Sequence, residues 1–462
     1  MLAKPNIKIE MREFLKLAVP LASAQVAQAI VGFVDTLMMG QLGAESLAAG
    51  GLASTTFQLL LNIASGIVIA VSPLVAIAYG GGHKTQIEQI ARQGLWLSLL
   101  LGIPMMFLIG HLDAVMVHLG QAKTTVALAD GYLNLILWGI FPALGFAMLR
   151  SYVSALSQAR PVMVIVFLGT LVNVTGNYVL GYGKLGFPRM ELAGLGLASG
   201  LSFWVMFLIL LVYTLKHEQL KHYRFLQGFH RLKPHIIQQL LRTGVPIAVT
   251  IALEYGLFAV VTYLMGMLGT EALAAHQIVF QTMLVIFMVP LGMSYAVTAR
   301  VGQWLGQQHL AGARLAGYIG GSMAFLFMAL TAIALLTYRQ QVIAMYLDIR
   351  DPQNASIIKL ALPIIIIAAI AQPLDGVQKT AMGALYGLQD TRVPMLLSVL
   401  AFWGVGLPSG YLLGFRFGFG SVGLWIGQSI GVAIAGIIFL GRFHQLTSRT
   451  FKSSSSPDLP TM

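Results

Sequence analysis

The chain has 462 residues, of which 57% are hydrophobic and 10% charged, with a formal net charge of +12. That is too little polar material to cover a water-soluble globule of this length, so the composition describes an integral membrane protein. There is no cysteine, which excludes a disulfide framework, a thiol nucleophile and a zinc-thiolate centre.

Uncharged runs long enough to cross a hydrocarbon layer ~30 Å thick as helices lie near 14–38, 50–78, 94–112, 131–150, 161–182 and 192–215. Six more follow near 238–264, 273–299, 315–337, 359–383, 394–415 and 418–441. Runs this long and evenly apolar predict helices, not barrel strands, because backbone groups facing lipid must be satisfied within each segment. The N-terminal MLAKPNIKIEMREFLKLAVP is basic but leads straight into a full-length span, so it reads as a retained first helix.

With both termini cytoplasmic, 21 of the 28 Lys and Arg fall on that side and seven on the other, as the positive-inside rule prefers. The longest basic loop, Thr214 to Arg242, lies on the same side. The basicity therefore reads as topology with anionic membrane lipids as neighbours, and no aromatic-interleaved basic module argues for nucleic acid.

A shift of 226 residues brings GQLGAESLAA, from Gly40, onto GMLGTEALAA, from Gly266, with seven of ten positions identical. The same shift aligns LAVP, ending at Pro20, with TGVP, ending at Pro246, and a shift of 232 aligns SALSQARPVM with YGLQDTRVPM. Each half holds six spans, so the copies have the same orientation. The predicted fold is all-α and integral to the membrane, with twelve transmembrane helices in two pseudo-symmetric six-helix bundles. This divides the chain into a lobe at 1–215, a cytoplasmic linker at 216–236, a second lobe at 237–442 and a short tail at 443–462, whose FKSSSSPDLPTM reads as disordered. Two like bundles facing each other create a cleft at the repeat interface, where transporter sites usually lie.

Three spans hold charges that the others lack. Asp35 is alone between Lys16 and Glu45, Glu254 is alone between Arg242 and Glu271, and only Asp375 and Lys379 stand between Lys359 and Asp390. A mid-membrane charge costs at least ~2.5–3.5 kcal/mol on insertion scales, so three retained carboxylates imply a polar cavity with a function. Under the 226 shift Asp35 falls opposite Val261 and Glu254 opposite Gln28, while under the 232 shift Asp375 falls near Ala143 or Leu144. The halves share a scaffold but differ in chemistry.

Gln25, Gln28, Gly32 and Asp35 recur at helical spacing and form one polar stripe, as do Gln372, Asp375, Gln378 and Lys379. A desolvated carboxylate needs a proton, a small cation or a positively charged solute, and rivals for one acid expel each other by linkage. The structural alternatives are a hydrogen bond to Asp35 from Gln28 or Thr36, and an ion pair between Asp375 and Lys379 one turn away. Asn173 and Asn177, one turn apart, offer amide groups either to the cleft or as interhelical glue. His276 and Gln277 open the eighth span, where a histidine reads as an interfacial residue and Gln277 as a candidate for the cavity. Pro20, Pro246 and Pro373 are candidate kinks near the acids.

The stretches VGFVDTLMMG, LVNVTGNYVLGYGKLG, FPRMELAGLGLASG, ALEYGLFAVV, LAAHQ, PLDGVQ and GLPSGYLLG, in this order along nearly the whole chain, resemble the multidrug and toxic compound extrusion (MATE) family in its NorM-type branch. The resemblance implies a two-lobe antiporter in a bacterial inner membrane that expels organic, mainly cationic compounds in exchange for entering Na+ or H+. It implies further that Asp35 is the acid of the N-lobe, that Glu254 and Asp375 form a monovalent-cation site, and that Asn173 and Asn177 line the N-lobe cavity. A substrate cavity over Asp35, Gln28, Asn173, Asn177 and Gln277, a monomeric chain and no resident cofactor complete the expectation. The sequence departs from the family at Ala371, where some members have a tyrosine, and at Lys379, where an apolar residue is usual.

The rival reading is a lipid-linked precursor flippase of the same superfamily. Its anionic headgroup calls for a cleft lined by Arg and Lys, whereas the intramembrane charges here are mostly acidic. An enzyme lacks support, since neither a phosphate-binding G-x-x-x-x-G-K-[ST] loop nor an H-E-x-x-H motif occurs. A channel calls for a ring around a pore, whereas asymmetric acids in two lobes fit alternating access.

Overall fold

The structure, a computed structural model, describes residues 6–118 and 121–448. The predicted disordered segment FKSSSSPDLPTM lies outside the described residues. Among the described residues, twelve helices are long and apolar enough to cross a membrane: α1 (Ile7–Leu42), α2 (Ala44–Gly80), α3 (Lys84–Ile109), α4 (Lys123–Ala155), α5 (Arg160–Gly181), α6 (Glu191–Lys216), α7 (Pro234–Met267), α8 (Thr270–Gly306), α9 (Leu310–Thr337), α10 (Pro352–Gly387), α11 (Arg392–Arg416) and α12 (Gly420–Ser448). This is the all-α membrane fold that the apolar runs predict. Most helices outrun those runs, because a helix of 36 residues such as α1 is about 54 Å long and continues beyond a ~30 Å apolar layer. Charges at the ends of the runs therefore become charges within helices. Arg150 is one, five residues inside the end of α4.

Asn6 caps α1, its side chain accepting from the backbone N–H of Lys8 at 2.9 Å and of Ile9 at 3.4 Å, which satisfies two of the otherwise unpaired first-turn donors. The turn from α1 to α2 and the turn from α7 to α8 both pass through a glycine at positive φ, Gly43 at 125° and Gly269 at 117°. Side chains rarely adopt that backbone, and the two glycines are 269 − 43 = 226 residues apart.

The same offset governs how the halves meet. Along the interface α1 packs on α8 and α2 packs on α7. A Cβ on Gly66 of α2 would stand 2.9 Å from the Cα of Ala248 on α7, and one on Gly292 of α8 would stand 2.4 Å from the Cα of Ala22 on α1. These are equivalent contacts, since 292 − 66 and 248 − 22 both equal 226. A second pair repeats the pattern: a Cβ on Gly80 would stand 2.0 Å from the Gln303 carbonyl oxygen, and one on Gly306 would stand 2.0 Å from that of Ile77. Small residues let backbones approach this closely, which is how helices associate where no hydrophobic gain is available.

These contacts lie toward one end of the bundle, which also holds the α6–α7 linker. Polar ties reinforce that end. Arg300 on α8 donates to both oxygens of Glu10 on α1, at 2.8 and 2.5 Å, and the Trp304 indole donates to Glu10 at 2.9 Å. Gln303 donates to the Ala155 carbonyl at 2.8 Å and to Ser157 at 2.9 Å. Asn62 on α2 donates to the Tyr255 hydroxyl on α7 at 2.9 Å. Among the described residues, no hydrogen bond or ion pair links α1–α6 to α7–α12 farther from the linker end than Asn62–Tyr255. On the far half Phe33, Leu37, Tyr263 and Met267 are exposed.

The linker lies against α3. Arg92, buried, donates from Nε to the Phe225 carbonyl at 3.0 Å. Gln93 donates to the Arg231 carbonyl at 3.0 Å and accepts from the Lys233 N–H at 3.2 Å. Trp96 donates to the Phe229 carbonyl at 2.7 Å and stacks on its ring at 4.9 Å between centroids.

Candidate functional site

The acids of the spans fall into two constellations, each held within its own half. In the first, the Asn177 amide on α5 donates to Asp35 Oδ1 on α1 at 2.6 Å and to Asn173 Oδ1 at 3.2 Å, and Asn173 donates to Ser199 Oγ on α6 at 3.0 Å. Helical periodicity stacks Asn173 and Asn177 on one face, and Asn177 opens a wide π-helical turn at Asn177–Gly181, a distortion frequent at functional sites. Asn173 and Asn177 are buried, Asp35 is half-buried, and Asn177 Oδ1 is a buried acceptor without a hydrogen-bond partner. The acid is therefore anchored at one oxygen beside an unused acceptor.

The expected alternatives for Asp35 do not form. Thr36 turns its hydroxyl back to the Gly32 carbonyl at 2.9 Å, the habit of hydroxyl residues inside helices. Gln28 is half-buried and makes no hydrogen bond among the described residues. The polar stripe of α1 is divided between partners: Gln25 accepts from Arg150 at 2.8 Å, while Asp35 goes to Asn177. Arg150, which the sequence reading treated as the end of a span, also stacks on Tyr295 of α8 at 5.2 Å.

In the second constellation, Lys379 Nζ on α10 donates to Glu254 Oε2 on α7 at 2.6 Å, with side-chain exposures of 5% and 15%. The ammonium also lies 5.4 Å from the centre of the Phe287 ring on α8. The alternative pairing of Lys379 with Asp375 is not the one that forms. A lysine on a flexible four-carbon stem can reach across to the neighbouring helix as well as along its own, and here it ties α10 to α7. Asp375, one turn earlier on α10 and half-buried, makes no hydrogen bond or ion pair among the described residues. Two carboxylates and one ammonium leave this cluster with one net negative charge when all three are ionised.

Gln277 is exposed at the start of α8 and makes no hydrogen bond among the described residues. Its neighbour His276 is locked into packing: Trp425 donates to Nδ1 at 3.2 Å and Thr262 meets Nε2 at 3.0 Å. An indole N–H can only donate, so Nδ1 accepts and the imidazole is neutral, with its proton on Nε2. Thr262 in turn donates to the Phe258 carbonyl at 2.8 Å, which closes the network. Pro20, Pro246 and Pro373 all stand inside their helices. Among the described residues no group of three or more His, Cys, Asp or Glu is placed to hold a metal ion.

Comparison with known proteins bears on the family and the fold. The sequence profile of the MatE family matches residues 20–179 and 246–412, one match in each half. A probable multidrug resistance protein NorM of Synechococcus sp. is 59% identical over 98% of both chains, and one of Synechocystis sp. is 54% identical over 96% of both. Among solved structures, a MATE crystallised in complex with MaL6 superposes with a TM-score of 0.85 at 19% identity, covering 96% of this chain and 99% of that one. The eukaryotic MATE transporter AtDTX14 does so with a TM-score of 0.82 at 18% identity, covering 95% and 96%. The structures speak for the fold and the sequences for the branch: twelve spans, two halves in a fixed 226-residue register and identity over nearly the whole length make this chain a NorM-type member of the MatE family of membrane transporters.

Proposed function

We propose that the chain exports organic, mainly cationic compounds in exchange for an entering small cation, Na+ or H+, by alternating access. The observation that supports it best is the placement of acid: among mostly apolar spans each half holds a cluster that carries one net negative charge when ionised, at or beyond the level of the seam's last tie, Asn62–Tyr255. A single negative charge takes one positive companion at a time. Rival companions then expel each other, because linkage makes the weakening of affinity mutual.

In this reading the linker end is cytoplasmic, as the excess of Lys and Arg on that side favours, and the state described is closed to the cytoplasm. Transport requires the paired glycine contacts and the Glu10–Arg300 tie to part while the far half closes. The two half-lobes are then the moving bodies, with each acid constellation travelling inside its own lobe. The chain is expected to do this as a monomer in the bacterial plasma membrane, and the relatives named as probable multidrug resistance proteins favour a broad range of exported compounds.

The test is reconstitution in vesicles containing a fluorescent organic cation, with a Na+ gradient or a pH gradient imposed separately. Wild type is compared with Asp35→Asn, Glu254→Gln and Asp375→Asn. Movement driven by at least one gradient and lost in these variants supports the proposal. Movement under neither gradient, or normal transport by all three variants, removes it.

A further inference from the structure

The resemblance assigns a monovalent metal ion to Glu254 and Asp375, and the donor set found there does not fit one. Hard cations gather several oxygen ligands. Here one oxygen of Glu254 is already held by the Lys379 ammonium at 2.6 Å, and the same ammonium is borne one turn from Asp375 on α10. A metal ion placed between the carboxylates would stand close to that fixed positive charge, and like charges at close range repel strongly in a medium less polar than water. Moving Lys379 aside would leave a buried ammonium without its partner, a strongly unfavourable change. Glu254 thus has a tethered competitor that a free ion must displace.

We infer that Lys379 is a built-in counter-ion that closes the Glu254–Asp375 pair to Na+, leaving Asp375 as the acid of this half that an organic cation meets. Phe287, against the ammonium, supplies a ring face that helps hold the charge without a further anion. The residue is a determinant of cation selectivity, and its neutral replacement converts the pair into an open two-carboxylate site. The inference rests on the transport reading for what the acids are for, but its test measures binding and needs no transport.

The experiment measures 22Na+ binding to the purified full-length protein in detergent, at fixed ionic strength and in an Asp35→Asn background that removes the acid of the first half. Lys379→Met and Lys379→Gln are expected to bind Na+ at least about tenfold more tightly than the chain with Lys379. Lys379→Arg, which keeps a fixed positive charge, is expected to stay at the unsubstituted level. The gain should vanish when Glu254→Gln is added to Lys379→Met. Equal binding with and without Lys379, or a gain that survives Glu254→Gln, overturns the inference. If either neutral variant fails to fold, the other gives the answer. Should vesicles show no exchange at all, the Na+ result still stands or falls by itself, so failure of the transport reading is distinguishable from failure of this one.

Discussion

Ala22 and Gly292 meet backbone to backbone across the molecule, so that a Cβ on the glycine would lie 2.4 Å from the alanine Cα. Ala248 and Gly66 repeat the contact 226 residues along. No real Cβ tolerates such a distance, and the neighbour is main chain, which cannot turn away as a flexible side chain would.

Gly292→Ala and Gly66→Ala are therefore expected to weaken the same seam from its two sides. Overpacking of this kind costs about 1–3 kcal/mol, enough to shift a two-state balance by roughly tenfold. The chain has no cysteine, so labels can be placed at will. Spin labels at His83 and Gln307, exposed positions on opposite halves at the linker end, should report longer distances in either variant. An unchanged distance distribution in both would show that the seam yields locally instead.

The Glu10–Arg300 pair is an ion pair of the seam that the pseudo-symmetry does not repeat, since the 226 shift places Glu10 opposite Ile236 and Arg300 opposite Leu74. Glu10 is 2% exposed and receives three donors, two from Arg300 and one from Trp304. Removing one partner of such a buried pair costs about 3–5 kcal/mol, because the other is left charged and unpaired. Glu10→Gln is expected to favour opening at the linker end and to slow the return, lowering the export rate more than the affinity for the exported compound. Glu10→Gln combined with Arg300→Met should recover part of the lost rate. Additive losses in the double variant would mean that the two residues act separately.

The twelve spans and the 226-residue register were legible in the sequence because both depend on what repeats along the chain: apolar length, and small residues at fixed intervals. The three intramembrane acids were legible for the opposite reason, as isolated exceptions. Their partners were not. Asn177 stands 142 residues from Asp35, Lys379 stands 125 from Glu254, and Arg300 stands 290 from Glu10. Local spacing offers Gln28, Thr36 and Asp375 as nearer candidates, and helix packing decides for the distant ones. Glu10 and Arg300 lay at the ends of apolar runs, where charge is ordinary, and only the continuation of α1 and α8 beyond those runs makes them meet.

The chain from Asp35 through Asn177 and Asn173 to Ser199 predicts a graded response. Asn177→Ala removes the direct donor to the acid and leaves a buried acceptor on Asn173, a loss of roughly 1–3 kcal/mol for an unsatisfied group. Ser199→Ala breaks the distal link, together with the hydrogen bond between Ser199 and Tyr132, and keeps the 2.6 Å bond to Asp35. Transport rates in vesicles should fall in the order Ser199→Ala, Asn173→Ala, Asn177→Ala, with the mildest effect first, while the thermal midpoints of the three stay close. A uniform loss, or one that follows thermal stability alone, would make the chain a packing device with no bearing on the acid.

The linker is strapped to α3 by contacts that predict where the moving boundary lies. Arg92, buried, makes a charge-assisted bond to the Phe225 carbonyl, Gln93 spans Arg231 and Lys233, and Trp96 holds Phe229 by stacking and by a hydrogen bond. Hydrogen bonds to charged groups contribute about 1.5–3 kcal/mol, so the strap should travel with the first half and leave the flexing to the start of α7, at Pro234. Trypsin can cut after Lys221, Arg224, Arg231 and, less readily, Lys233, which precedes a proline. Arg92→Met is expected to speed cleavage at the first three by about tenfold through looser docking, while Trp96→Phe, which keeps the stacking and loses the indole donor, should have a smaller effect. If cleavage in Arg92→Met stays at the wild-type rate, the strap is held by Trp96 and Gln93 without the guanidinium. A wild-type cleavage rate that rises when an exported cation is bound would instead show the linker moving against α3 during transport.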